Sequence, residues 1–242
     1  CGFQKQGWIN LDKPSAHYAR WQKPIDLKHD LMTFSPICAR NESIDIAYSS
    51  HTIEHLGDEY VDYLFKEVYR ILRSGGVFRI AVPDADRLYD AYKENNETYI
   101  NGWKGNNTEF NELGIGEKLV YILASYKSRY STKTSSIIKP FTEEEIENVL
   151  RTKDKNTALT YFTTECQKHI PLLQKTYPDQ PFDHVAWWGF EKLKHALEQV
   201  GFSNVEKQQF DCSDVDELKN FDSLNQDNVA KRDYTLIVEC KK

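Results

Sequence analysis

One face of apolar side chains stands out along the chain. Val61, Leu64, Phe65, Val68 and Leu72 fall at i, i+3, i+4, i+7 and i+11, which predicts an amphipathic helix. Gly75 and Gly76 follow, where a left-handed C-terminal cap is expected. Short apolar runs flank this helix. SIDIAY at 43–48 and VFRIAV at 77–82, closed by Pro83 and Asp84, read as buried parallel strands. WINLD at 8–12 and IDLKH at 25–29 read as shorter strands. Near the other end, Phe190, Leu193 and Leu197 stripe a helix that stops at Gly201. Strand candidates follow at 204–210 and 234–240, joined by a polar loop of 23 residues.

Strand, helix and strand with short joints is the grammar of an open, mostly parallel α/β sheet. In such sheets ligands collect beyond the carboxyl ends of the strands. Asp12, Asp30, Ser49 to His51 and Asp84 all fall at those ends. Residues 90–183 differ in character: they are polar, rich in Asn, Lys, Glu and Tyr, and helical in pattern. Leu119, Ile122, Leu123 and Tyr126 make one stripe, and Thr142 with Glu145 has capping-box spacing before Ile146, Val149 and Leu150. This stretch reads as an inserted helical lid, with ordinary surface helices as the alternative. The predicted organisation is therefore 1–89 and 184–242 as two parts of one α/β domain, with 90–183 inserted.

Composition narrows the function classes. The 242 residues are 40% hydrophobic and 13% aromatic, enough for a sizeable core. The formal net charge of −6, with both signs interspersed, argues against a dedicated nucleic-acid binder. No apolar run approaches the roughly 20 residues that span a bilayer. The five cysteines are scattered and form no C-x-x-C, which points to reduced thiols and a cytoplasmic setting.

The stretch SSHTIEHLG at 49–57 admits two chemistries. His51, Glu54 and His55 spell H-x-x-E-H, the order of inverted zinc peptidases; on a helix the two histidines would share a face, with Glu54 as base. Against this, the motif follows a strand directly and the striped helix begins only near Asp58. No residue marks itself as a third ligand. The same letters also suit a strand-to-helix turn that borders an organic cofactor.

Taken in order, CGF, GWINLD, DLMTF, SIDIAYSSHTIEHL and EVYRILRSGGVFRIAVPD resemble class I S-adenosylmethionine-dependent methyltransferases, and within them a small bacterial group of predicted methyltransferases. The resemblance is dense over residues 1–88 and resumes weakly over 184–242. It implies a doubly wound, Rossmann-like sheet with an antiparallel last strand, and S-adenosylmethionine as cofactor. It places Gly2 and Phe3 in the cofactor loop, Asp12 on the ribose hydroxyls and Asp30 with Leu31 on the adenine. Ser50 and His51 would border the methionine end. Each acid has a plainer alternative, as a turn or helix cap. The resemblance also expects a strand and a glycine-rich turn before Cys1. Only nine residues separate Gly2 from Asp12, against the dozen or so usual for a parallel crossover, so the first helix is expected to be missing.

The implied activity is methyl transfer to an oxygen or nitrogen of a small polar molecule, such as a sugar. His51 is the first candidate base and His184 the second. Trp187 and Trp188 would form an apolar wall, or simply pack in the core. A non-catalytic cofactor-binding protein and a zinc hydrolase remain the alternatives. Neither a metal nor a nucleic-acid or membrane partner is expected under the leading reading, and the oligomeric state is open.

Overall fold

A computed structural model of the chain describes residues 5–15, 24–103, 108–124, 141–176 and 184–242. Gly2, Phe3 and Tyr126 lie outside the described residues. Two compact units are formed. The first comprises residues 1–82 and 190–242, the second residues 83–189.

The first unit is built on two ladders. β1 (Leu11–Asp12) and β2 (Leu27–Lys28) pair in parallel, with Asp12 opposite Lys28. Both are two residues long, shorter than the apolar runs predicted. β3 (Ile44–Ser50) and β4 (Leu72–Pro83) also pair in parallel, connected through the helix α1 (Asp58–Ile71). β5 (Ser203–Gln208) and β6 (Thr235–Lys241) complete a sheet of order β3-β4-β6-β5, and β5 and β6 are antiparallel. The backbone of Lys242 exchanges hydrogen bonds with Gly75 and Gly76, so β6 also runs against β4. Among the described residues no backbone pairing joins β1 to β3. The described strands thus form two ladders.

The end of α1 departs from expectation. The helix stops at Ile71, its cap residue Leu72 is already extended, and β4 starts there. The register jumps from Ile44–Leu72 to Ile46–Val77. The residues between are surplus to β3, and Gly75 and Gly76 turn to the end of β6 instead. Gly75 does adopt a left-handed φ of 74°, but inside a strand irregularity and not as a helix cap. Gly76 has no room for a side chain: a Cβ would sit 2.9 Å from the Arg73 carbonyl oxygen.

Alternation along β4 explains the layers. Phe78 faces α1 and the following helix, Phe190–Val200, where it meets Phe65 and Phe202 edge-on or tilted. Val77 faces the other way, into a cluster with Leu218 and Phe221 against which Trp8, Ile46 and Tyr48 pack. Leu218 and Phe221 come from the segment between β5 and β6. The sequence reads that segment as a polar loop; it instead folds into short helical turns, among them Asp222–Leu224 and Gln226–Lys231, and buries Leu218 and Phe221.

The second unit is helical. Helices Ala85–Lys93, Ile115–Leu123, Glu143–Thr152 and Lys155–Lys168 surround a core that includes Leu88, Leu119, Leu150, Phe162 and Trp187. Several helix starts are capped as their sequences dictate. Thr142 accepts from the Glu145 N–H, and Asp154 from the Thr157 N–H. Asp84, expected at the ligand rim, caps the helix Ala85–Lys93 by accepting from the Arg87 N–H. No helix among the described residues is long and apolar enough to cross a membrane.

Candidate functional site

The acids of the first ladder sit side by side. Asp12 ends β1, and its carbonyl accepts from the N–H of His29, the residue after β2. Asp30 comes next in the chain. Lys13 links the two: its N–H donates to Asp12 Oδ1 at 2.8 Å, and its Nζ pairs with Asp30 Oδ2 at 2.8 Å. Asp30 also organises a turn. Its Oδ1 accepts from the Met32 N–H, and its carbonyl accepts from Thr33. Partial burial works against the charge of Asp30, but Lys13 and the Met32 N–H outweigh it and hold the carboxyl below the usual range. The turn role foreseen as the plainer alternative for Asp30 is therefore present. Leu31, half-buried, lies in that turn.

Ser50 and His51 sit at the end of β3. The His51 N–H donates to the Ala81 carbonyl and so makes the last rung of the β3–β4 ladder. Its φ is 47°, in the left-handed region that costs a residue with a side chain about 1–2 kcal/mol. That turn of the backbone aims the ring at two partners. Nδ1 lies 3.2 Å from Glu54 Oε1, and Nε2 lies 3.3 Å from Thr235 Oγ1. Glu54 is 1% exposed. His55 Nε2 lies 3.8 Å from the same Glu54 oxygen.

This local geometry differs from the helical one that the zinc reading requires. The only helical piece in the motif is the three-residue 3₁₀ turn Ile53–His55, and His51 lies outside it. His51 and His55 are not stacked one turn apart on a common helix face; both face a carboxylate. His55 is half-buried.

Beneath Ser50 runs a chain of buried polar groups that the sequence did not reveal. Ser50 Oγ donates to Asn228 Oδ1 at 2.9 Å. Asn228 Nδ2 donates to Tyr48 Oη and to the Asp222 carbonyl, both at 3.1 Å. Tyr48 Oη donates to Asp222 Oδ1 at 3.1 Å. Asp222 pairs with Arg79, which is fully buried and also pairs with Glu239. Burial opposes the guanidinium charge, yet the two carboxylates raise its pKa above the ordinary value. Burial and the neighbouring Asp222 push the Tyr48 hydroxyl up, so it remains a donor. The one signal in the sequence was an arginine inside a strand predicted to be buried. Its partners lie 143 and 160 residues away and carry no periodicity.

In the helical unit, His184 is buried and its Nδ1 lies 2.5 Å from the Ile122 carbonyl oxygen. A carbonyl only accepts, so Nδ1 carries the proton there and Nε2 holds the lone pair in the neutral ring. Trp187 and Trp188 are both buried, and Trp187 Nε1 donates to Thr160 Oγ1 at 3.2 Å. Trp187 belongs to the core of its unit.

The donor set at the two strand ends fits an adenosine-bearing sulfonium in kind. Carboxylate oxygens on Asp12 can accept from vicinal hydroxyls, and the Ser50 hydroxyl is a small polar group at the next strand end. Asp30 fits less simply, because Lys13 already engages it.

A family model described as "Methyltransferase domain" matches residues 9–80. No curated protein matches the chain. Several solved structures are similar. One is a SAM-dependent methyltransferase from Archaeoglobus fulgidus, 13% identical, covering 97% of this chain and 75% of that one with a TM-score of 0.41. Another, from Mesorhizobium loti, is 15% identical, covering 97% and 79% with a TM-score of 0.39. A third is phosphoethanolamine N-methyltransferase 2 from Haemonchus contortus with S-adenosylmethionine, 12% identical, covering 85% and 35% with a TM-score of 0.32. At these identities and scores the overlaps carry no argument of their own. The family match is the firmer finding: residues 9–80, all inside the first unit, are similar to a methyltransferase domain.

Proposed function

We propose that the protein transfers a methyl group from S-adenosylmethionine to an oxygen or nitrogen of a small polar molecule in the cytoplasm. The observation that supports this most is the set of strand ends inside the matched segment: Asp12 ending β1, Asp30 just beyond β2, and Ser50 ending β3 with His51 next. When bound, the cofactor supplies a methyl group activated by its sulfonium. Asp12 would accept from the ribose hydroxyls. Asp30 would orient the adenine, either directly or through Lys13, with Leu31 against the ring. Ser50 and His51 would border the methionine end, and Gly2 and Phe3, outside the described residues, would complete the loop.

The chain's own contribution to such a displacement is alignment and exclusion of water. An oxygen or nitrogen acceptor also needs a proton removed, and His51 and His184 are the two candidates for that task. We further propose that the helical unit acts as a lid.

Incubation with methyl-labelled S-adenosylmethionine and pooled small hydroxyl and amine compounds tests the acceptor class. Label is expected in the small-molecule fraction. Label recovered only in protein or nucleic acid contradicts it.

A further inference from the structure

The hydrogen bonds around His51 fix which of its ring nitrogens carries a proton. Thr235 begins β6 and follows the 3₁₀ turn Arg232–Tyr234. Its hydroxyl has one proton, and that proton is committed: Oγ1 donates to the Lys231 carbonyl at 2.9 Å. A carbonyl has no proton to give in return. Towards His51 Nε2, the Thr235 oxygen can therefore only accept. It follows that Nε2 carries a proton.

The opposite nitrogen faces Glu54 Oε1. A carboxylate accepts, so an ionised Glu54 requires a second proton on Nδ1; a protonated Glu54 donates to a bare Nδ1. In both cases one proton lies between Nδ1 and Oε1. In both cases, too, Nε2 keeps its own proton, and neither ring nitrogen offers a lone pair to an incoming substrate.

We propose that Thr235 is a positioning residue that locks His51 as a hydrogen-bond donor, so that His51 does not act as the base. The ring is then a proton-bearing wall at the end of β3, backed by the buried Glu54. Its left-handed backbone is retained because it delivers the ring to both partners at once. This rests on the methyltransferase reading only for what His51 borders; the proton assignment stands on the geometry alone.

The test reads the ring nitrogens directly. Protein labelled with ¹⁵N-histidine, without ligand, is examined by long-range proton–nitrogen correlation, with His51 identified by its absence in His51→Gln. The parent is expected to show a protonated Nε2. Thr235→Val, of the same shape but without the oxygen, is expected to lose that signature, and Thr235→Ser to restore it. A parent spectrum with a bare Nε2 overturns the proposal whether or not the variants fold. So does an unchanged His51 signal in Thr235→Val. Calorimetry with S-adenosylmethionine on the same parent sample reports separately on the methyltransferase reading, so the two can fail independently.

Discussion

Arg79 shows how much one residue can organise. Its guanidinium is fully buried on β4, and a charge there persists only because Asp222 and Glu239 neutralise it and carbonyls of the β5–β6 segment take its remaining protons. Asp222 has further duties, since it accepts from the Tyr48 hydroxyl and from the Asp211 N–H. Replacing Asp222 with Ala leaves a buried cation short of a partner, which costs about 3–5 kcal/mol. Urea unfolding is expected to show a correspondingly lower midpoint with an unchanged slope. The same change frees Tyr48 and slackens the link through Asn228 to Ser50. Little of this network was legible in the chain. VFRIAV reads as a buried strand and is one, but nothing local names the carboxylates that make its arginine tolerable. Asp12 and Asp30 were legible, because an acid directly after a short apolar run is a local pattern. The grip of Lys13 on Asp30 was not, because it depends on how the two short strands are placed.

At the scale of elements, α1 is the best-read part of the fold. Its stripe is buried as predicted, with Val61 and Phe65 fully enclosed. Its end was misread because the glycine pair looked like a cap; pairing with β6 claims those glycines instead, and Leu72 is drawn into the strand. The polar face of α1 also does something periodicity cannot show. Glu67 accepts from the Ile37 N–H, and Arg70 donates to the carbonyls of Ile37 and Ala39. Together they clasp the loop that follows Asp30 onto the helix. Hydrogen bonding from Arg70 outweighs the effect of burial and keeps the Glu67 carboxyl below its ordinary range. Because the folded value is depressed, the stabilisation is present above the unfolded carboxyl range and disappears as pH falls through the folded value. Glu67→Gln is therefore expected to lower the thermal midpoint at neutral pH, and the gap to the parent should close in acid. A gap that stays constant with pH would show that the charge of Glu67 contributes nothing.

At the scale of the whole molecule, the described chain divides into two compact units, one built on the strands and one helical. The helical unit spans Pro83–Gly189, somewhat wider than the polar stretch that marked it, because Asp84 caps its first helix and Trp187 packs in its core. The central proposal concerns the first unit: its strand ends would hold S-adenosylmethionine, with Asp12 on the ribose. Hydrogen bonds to a charged group are worth roughly 1.5–3 kcal/mol, so losing them should weaken binding by about one to two powers of ten. Isothermal titration of S-adenosylmethionine into the parent and Asp12→Ala proteins tests this most directly. The account predicts saturable binding to the parent, weakened by about tenfold or more in the variant. Equal affinity in the two proteins, or no binding to the parent, would contradict it.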